Sequence, residues 1–156
     1  MTPAITGPLA ASLEAVAAVM KAAHDPWWII ASAAVALHGA DPGRVGDVDV
    51  LLGIEDAMRT LPTIGVTAER GSAHPDFRSA IFGVWRAAPL AIEFMAGFSY
   101  RDGAGWHPVR PESRERIDLR GAMLFVPSRT ELRDLLRAFG RPKDIERARR
   151  LAVLQK

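Results

Sequence analysis

The run Gly46-Asp47-Val48-Asp49-Val50-Leu51-Leu52 sets two carboxylates two residues apart inside an apolar stretch, and few local structures can house that pattern. Its valines and leucines read as a strand, which sends Val48, Val50 and Leu52 to one face and Asp47 and Asp49 to the other. Neighbouring like charges repel and resist burial unless something neutralises them. A hard divalent cation such as Mg²⁺ or Mn²⁺ does so, because carboxylate oxygens are its preferred ligands. The competing reading is a strand end whose acids face water. Asp144-Ile145-Glu146 shows that acid–apolar–acid alone decides nothing. It lies among arginines in a segment of helical spacing, where residues two apart point in different directions and cannot share an ion.

The flanking sequence is more specific. Trp27 to Ala31 reads as a short buried strand, with Ser32 at the start of a one-to-two-turn helix and Gly39 at its end. A loop containing Pro42, Gly43 and Arg44 then leads into the aspartate strand. Further on, Leu90 to Met95 alternates, with Leu90, Ile92 and Phe94 on one side and Ala91, Glu93 and Met95 on the other. Glu93 is the one acid in that run, costly unless paired or bound to a cation. Ser79 to Arg86 is another strand, joined to it as a hairpin through Ala87-Ala88-Pro89.

Helices frame this core. Pro8 to Ala23 carries Leu9, Leu13, Val16 and Met20 on one stripe, which suits packing better than membrane binding. After a strand at Leu124–Val126, Ser128 and Glu131 fit a capping box for a helix that runs to about Phe139 and stops at Gly140. Arg141-Pro142-Lys143-Asp144 opens a last helix, with Ile145, Ala148, Leu151, Ala152 and Leu154 at helical spacing. The expected fold is α/β (α+β), a mixed central sheet with flanking helices. It forms one domain over 1–156: an N-terminal helical part (1–26), a sheet core (27–127) and two C-terminal helices (128–156). Gly71 to Phe77 and Gly97 to Gly105 read as loops that border a site. His24, His38, His74 and His107 lack ligand spacing; His38 reads as a core or supporting group and Trp27-Trp28 as packing.

Composition narrows the function classes. A chain of 156 residues, 49% hydrophobic, can bury a proper core. It has no cysteine, which excludes disulfides and cysteine-based zinc sites. No apolar run approaches the roughly 20 residues of a membrane span, and Met1 to Gly7 lacks the basic residues of a signal peptide, so a cytoplasmic protein is expected. Residues 1–109 hold 7 Lys and Arg against 11 Asp and Glu, and residues 110–156 hold 13 against 7. A basic C-terminal part beside an acidic site suits a polyanion such as a nucleotide or RNA, although solvated helix faces account equally well for any single arginine. Aromatics do not interleave with these arginines, so no stacking platform for single strands is expected.

In its order of elements the chain resembles the nucleotidyltransferase superfamily, with the DNA polymerase beta-like fold, and in particular its small bacterial and toxin-type members. Ala31-Ser32 stands where the family carries Gly-Ser, Ala34 to Gly39 resembles the stretch that follows, and Asp47-Val48-Asp49-Val50 matches the acidic motif. Glu93 matches the third carboxylate, and Arg141-Pro142-Lys143-Asp144 is similar to the opening of the last helix in small members. The resemblance implies transfer of a nucleoside monophosphate from an NTP to an acceptor hydroxyl on protein, RNA (including tRNA) or a small molecule. It further implies that Asp47, Asp49 and Glu93 hold Mg²⁺ or Mn²⁺, and that Ser32, the backbone at Ala31, and Arg44 meet the nucleotide phosphates. An antitoxin or a second copy is the partner that such members suggest. Ala31 departs from the family's glycine, and its Cβ is expected to crowd an approaching triphosphate. A catalytically silent relative that binds nucleotide or a protein partner is therefore the second expectation, and an unrelated α/β domain with solvated acids the third.

Overall fold

In the computed structural model, which describes residues 5–71 and 74–154, the first helix buries the stripe that its sequence marks out. Helix α1 (Gly7–Met20) hides Leu13, Val16 and Met20 completely, while Leu9 is half-buried at the edge of the same core. Its buried Ser12 Oγ accepts the Leu90 amide at 2.9 Å and so tethers the helix to the sheet. Strand β1 (Trp28–Ile30) and helix α2 (Ala31–Leu37) follow, then β2 (Asp47–Leu52), α3 (Ile54–Thr63) and β3 (Glu69–Gly71). Strands β4 (Phe77–Trp85), β5 (Ala91–Ala96), β6 (Ser99–Asp102) and β7 (Gly105–Pro108) continue the main sheet. The chain ends with β8 (Glu115–Leu119), β9 (Ala122–Val126), α4 (Arg129–Phe139) and α5 (Pro142–Ala152).

The sheet order is β1-β2-β5-β4-β6-β7, with β3 also on β4, and β8–β9 forms a separate hairpin. Among the described residues β2 and β5 alone run parallel and the other pairs are antiparallel, so the sheet is mixed as expected. The parallel pair needs a long crossover, and α3, β3 and β4 supply it. On one face Val48, Val50, Ile92 and Phe94 have no accessible surface and form the main core with α1 and α2. Helix α3 packs on β4 and β5, and no helix is long and apolar enough to cross a membrane among the described residues.

Several local expectations are corrected. The strand expected over Trp27 to Ala31 ends at Ile30, which itself occupies the cap of α2, and no side chain caps that helix. Ser32 lies one residue inside α2, displaced from the cap because Ala31 already turns the backbone. Ser128 does cap α4, accepting the Glu131 amide at 3.1 Å, but the reciprocal half of the box is absent. The Glu131 carboxylate instead accepts the amides of Glu112 and Ser113, each at 2.8 Å, and the Ser113 hydroxyl, fastening the 112–113 loop to α4. Gly97 to Gly105 is a hairpin rather than a loop. Gly97, at φ 61°, turns the chain so that β6 pairs with the start of β4 where β5 stops, and a Cβ there would lie 2.8 Å from that of Ala80. Of the other expected loop, residues 72–73 lie outside the described residues, and its end belongs to β4.

Helix α3 escaped the sequence reading because Pro62 and Gly65 suggest a break, yet Pro62 sits in the last turn, where the helix stops anyway. The helix is anchored by Asp56, which is 1% exposed. Its carboxylate accepts the amides of His24 at 3.0 Å and Asp25 at 2.9 Å and pairs with Arg59. Burial opposes ionisation here, but the two amides and Arg59 outweigh it and hold the carboxyl below its ordinary range. Replacing Asp56 with alanine strands two backbone donors and should cost about 2–4 kcal/mol, from charge-assisted bonds worth ~1.5–3 kcal/mol plus desolvated amides. Chemical denaturation checks this. Because the folded pKa is depressed, the contribution is present above the unfolded pKa and should be lost as pH falls from there through the folded pKa.

Candidate functional site

Opposite the core, β2 and β5 present Asp47, Asp49, Glu93 and Met95 to a cleft of about 1090 Å³. Register brings the acids together: in the parallel pair Asp49 lies beside Glu93, and Asp47 is one pleat away on the same face. One carboxylate oxygen from each of Asp47, Asp49 and Glu93 lies within 4.8 Å of the other two. Burial, and then the charge of Asp47, pushes the Asp49 carboxyl up to about 7. Burial, and then the neighbouring Asp47 and Asp49, raise Glu93 likewise, with Arg86 opposing. Three half-buried carboxylates that repel one another form the oxygen donor set that hard divalent cations take, so the residues fit such an ion.

Cations form the facing wall. Arg141, Lys143, Arg147 and Arg150 of α5 and its cap line the cleft with Arg44, and the positive fields of Arg141, Lys143 and Arg147 reach Asp49. Arg147 donates from Nε to the Pro42 carbonyl and from Nη2 to the Arg44 carbonyl, both at 2.9 Å, which locks the loop before β2 against α5. Burial lowers the Arg147 pKa despite the nearby carboxylates. Phe77, Phe82 and Phe98 line the cleft as well, an aromatic side invisible to the sequence reading because β4, the 98 turn and α4 bring distant rings together. Periodicity within one strand carries no signal for such a cluster.

Ala31 and Ser32 also line the cleft, and both are nearly buried. Ala31 has φ 59°, the left-handed region that costs an L-residue roughly 1–2 kcal/mol. The backbone must turn here to pass from β1 into α2, and this accounts for a glycine preference independently of any ligand. Arg44 is exposed on the loop that Arg147 holds. His38 does not line the cleft; its Nε2 bonds the Pro127 carbonyl at 2.7 Å and ties the end of α2 to the approach of α4. Trp27 is buried edge-on to Phe125, and Trp28 donates to the Ser113 carbonyl at 2.9 Å, so both tryptophans pack as expected.

No family model and no curated protein matches this chain in sequence. Solved structures do. TM1012 from Thermotoga maritima, described as a candidate nucleotidyltransferase, superposes with a TM-score of 0.68 at 21% identity, covering 88% of each chain. The lincosamide antibiotic adenylyltransferase LnuA, in its lincomycin-bound form, gives 0.57 at 12% identity over 98% of this chain and 100% of its own. ANT(2″)-Ia in complex with adenylyl-2″-tobramycin gives 0.53 at 14% identity over 90% and 84%. The likeness is one of fold. This chain has the nucleotidyltransferase fold.

Two outcomes follow from this geometry. Changing Ala31 to glycine relieves left-handed strain but gives up a buried methyl, worth ~0.8 kcal/mol, and adds backbone entropy of ~0.5–1 kcal/mol. Denaturation should therefore show a change within about 1 kcal/mol of zero; a loss well beyond that would mean the strain is absent. The second concerns pH. Burial pushes Asp49 up to about 7 and Glu93 up to about 8, so between about pH 4 and 8 the metal-free folded state holds protons that the unfolded state has already released. With a chelator present, the melting temperature should fall as pH rises through that window, and Asp49→Asn should flatten the fall.

Proposed function

We propose that this protein transfers a nucleoside monophosphate from an NTP to an acceptor hydroxyl. The single observation that carries the reading is the convergence of Asp47, Asp49 and Glu93 to within 4.8 Å on a cation-walled cleft. Its fold is that of LnuA, an adenylyltransferase, and of ANT(2″)-Ia, found with an adenylylated tobramycin, which supports adenylyl or related nucleotidyl transfer. The acceptor belongs to one of three classes: protein, RNA or a small molecule.

In this reading Asp47, Asp49 and Glu93 hold Mg²⁺ or Mn²⁺, which supplies Lewis acidity and neutralises negative charge when bound. The acceptor oxygen attacks the α-phosphorus, the bond from that phosphorus to the α–β bridging oxygen breaks, and pyrophosphate leaves with the electron pair. Glu93 orients the acceptor hydroxyl and takes its proton, a carboxylate base that the β2–β5 register sets beside the aspartates. Asp47 and Asp49, on one strand face, would hold the cation whose positive charge draws the reacting phosphate toward Glu93. Ser32 Oγ and Arg44 contact the triphosphate from the α2 side and the loop side of the cleft.

A labelling assay with each α-labelled NTP, Mg²⁺ and cell extract tests the activity directly. Glu93→Gln should lower transfer by about 10²-fold or more while NTP binding, read by calorimetry, changes little. Transfer that survives the substitution intact would remove Glu93 from the mechanism. Mn²⁺ should raise the melting temperature of the unaltered protein but not of Asp49→Ala, and equal shifts in both would remove the metal site.

A further inference from the structure

Sheet order separates two sides of the cleft. The strands run β2-β5-β4, so Glu93 on β5 stands between the aspartates and β4. The cations of α5 act on the β2 side, where the fields of Arg141, Lys143 and Arg147 reach Asp49. Arg86, just past the end of β4, acts on Glu93 instead. In the mechanism above Glu93 takes the proton of the acceptor, and the acceptor therefore lies toward β4 and β3.

That side is basic. Val84 pairs with Glu93 and Phe82 with Met95, which sets the even positions of β4 on the face of the acids, and the alternation runs from Arg78 to Arg86. Eight residues of strand, at about 3.3 Å each, span roughly 26 Å. Arg78 and Arg70, the latter on β3, both line the cleft. All three arginines are exposed, and none forms an ion pair among the described residues; Glu69 lines the cleft too and pairs with none of them. Exposure alone would leave three solvated side chains, but Arg78 is held. Its guanidinium lies 4.1 Å from the centre of the half-buried Trp106 ring on β7. Arg101, the other cation near that ring at 5.7 Å, is paired with Asp76. Arg78 is thus fixed by stacking, with its N–H edge unspent.

We propose that the acceptor is a single strand of RNA, and that Arg78, Arg70 and Arg86 carry its phosphates along β4 to Glu93, with Trp106 as the positioning residue for Arg78. This rests on the nucleotidyl-transfer reading and names its acceptor. Of the three acceptor classes RNA is the polyanion, and its phosphates repeat along a strand as these cations do. Its bases stack on a guanidinium plane, and its ribose supplies the hydroxyl. The ribose oxygen bonds to the α-phosphorus as the bond to the bridging oxygen breaks, pyrophosphate takes the electron pair, and the proton passes to Glu93. The chain order hides this surface, because Arg78 and Trp106 meet only through the pairing of β4 with β6 and of β6 with β7.

Fluorescence anisotropy with a fluorescein-labelled oligouridylate of about ten nucleotides, a length that single-strand sites cover, measures binding without NTP or turnover. Arg78→Ala removes no ion pair, so the fold should persist, and a melting curve checks this. It should weaken binding at least about fivefold, the scale of one hydrogen bond, and lower the slope of log Kd against log salt by about 0.7, one phosphate contact on a single strand. Arg78→Lys should keep the salt slope while losing part of the affinity, since an ammonium has no plane to rest on the indole. Trp106→Ala should weaken binding too, yet add little once Arg78 is alanine, because a positioning residue acts through the group it holds. Three results overturn the inference even where label is transferred: no binding by the unaltered protein, unchanged affinity and salt slope in Arg78→Ala, or equally tight, Arg78-dependent binding of polyglutamate, which would indicate an acidic protein as acceptor. Arg78-dependent RNA binding without transfer from any labelled NTP overturns the transfer reading and leaves the strand-binding surface standing.

Discussion

The structure turns on the parallel pairing of β2 with β5, which sets Asp49 directly beside Glu93. Because side chains alternate along a strand, the register that brings these acids together also sends Val48, Val50, Ile92 and Phe94 into the core. A slip of one residue would bury the acids and expose the core. The hydrophobic face thus enforces an electrostatically unfavourable arrangement on the opposite face. Repulsion among the three carboxylates is sustained by burial of the apolar side chains behind them, and a positive charge placed among them would relieve it.

The rest of the architecture supports that pair from outside. Arg147 pins the loop before β2 to α5, Ser12 pins the turn before β5 to α1, and Asp56 pins the segment before β1 to α3. Each is a polar side chain that satisfies backbone groups where no secondary structure can. Each also fixes the approach to a strand of the site. Tolerance of strain at Ala31 belongs with this rigidity: a left-handed alanine persists where packing around Ile30, Leu51, Met95 and Phe98 leaves the backbone no other route.

The three clustered carboxylates and the cations of the last helix lie on separate elements of the cleft. Carboxylates sit on rigid strands, where convergence within 4.8 Å depends on register. The facing cations sit on α5, whose own pairs, Arg141 with Asp144 and Arg150 with Asp41 and Glu146, consume part of their charge and order the remainder. Opposed walls of this kind suit a ligand that arrives as a polyanion together with metal, since neither wall alone is complementary to both.

Much of this was legible from the chain itself. Alternation in 47–52 and 90–95 determined which residues face the core and which face away, and the stripe in α1 and the Ser128 and Gly140 boundaries of α4 followed from spacing and capping chemistry. Those are local properties, set by periods of 2 and 3.6 residues. What tertiary structure alone decided lies between distant segments. The partner of β2 across the sheet, the use of Glu131 for the 112–113 loop instead of its own helix, and the hairpin after Gly97 all depend on which strands meet. The cap of α2 shifted from Ser32 to Ile30 because the chain needs a left-handed turn one residue earlier than propensity places it. The aromatic side of the cleft and the stacking of Arg78 on Trp106 are likewise products of packing: a sequence shows which groups are present, and only the folded chain shows which of them are already satisfied.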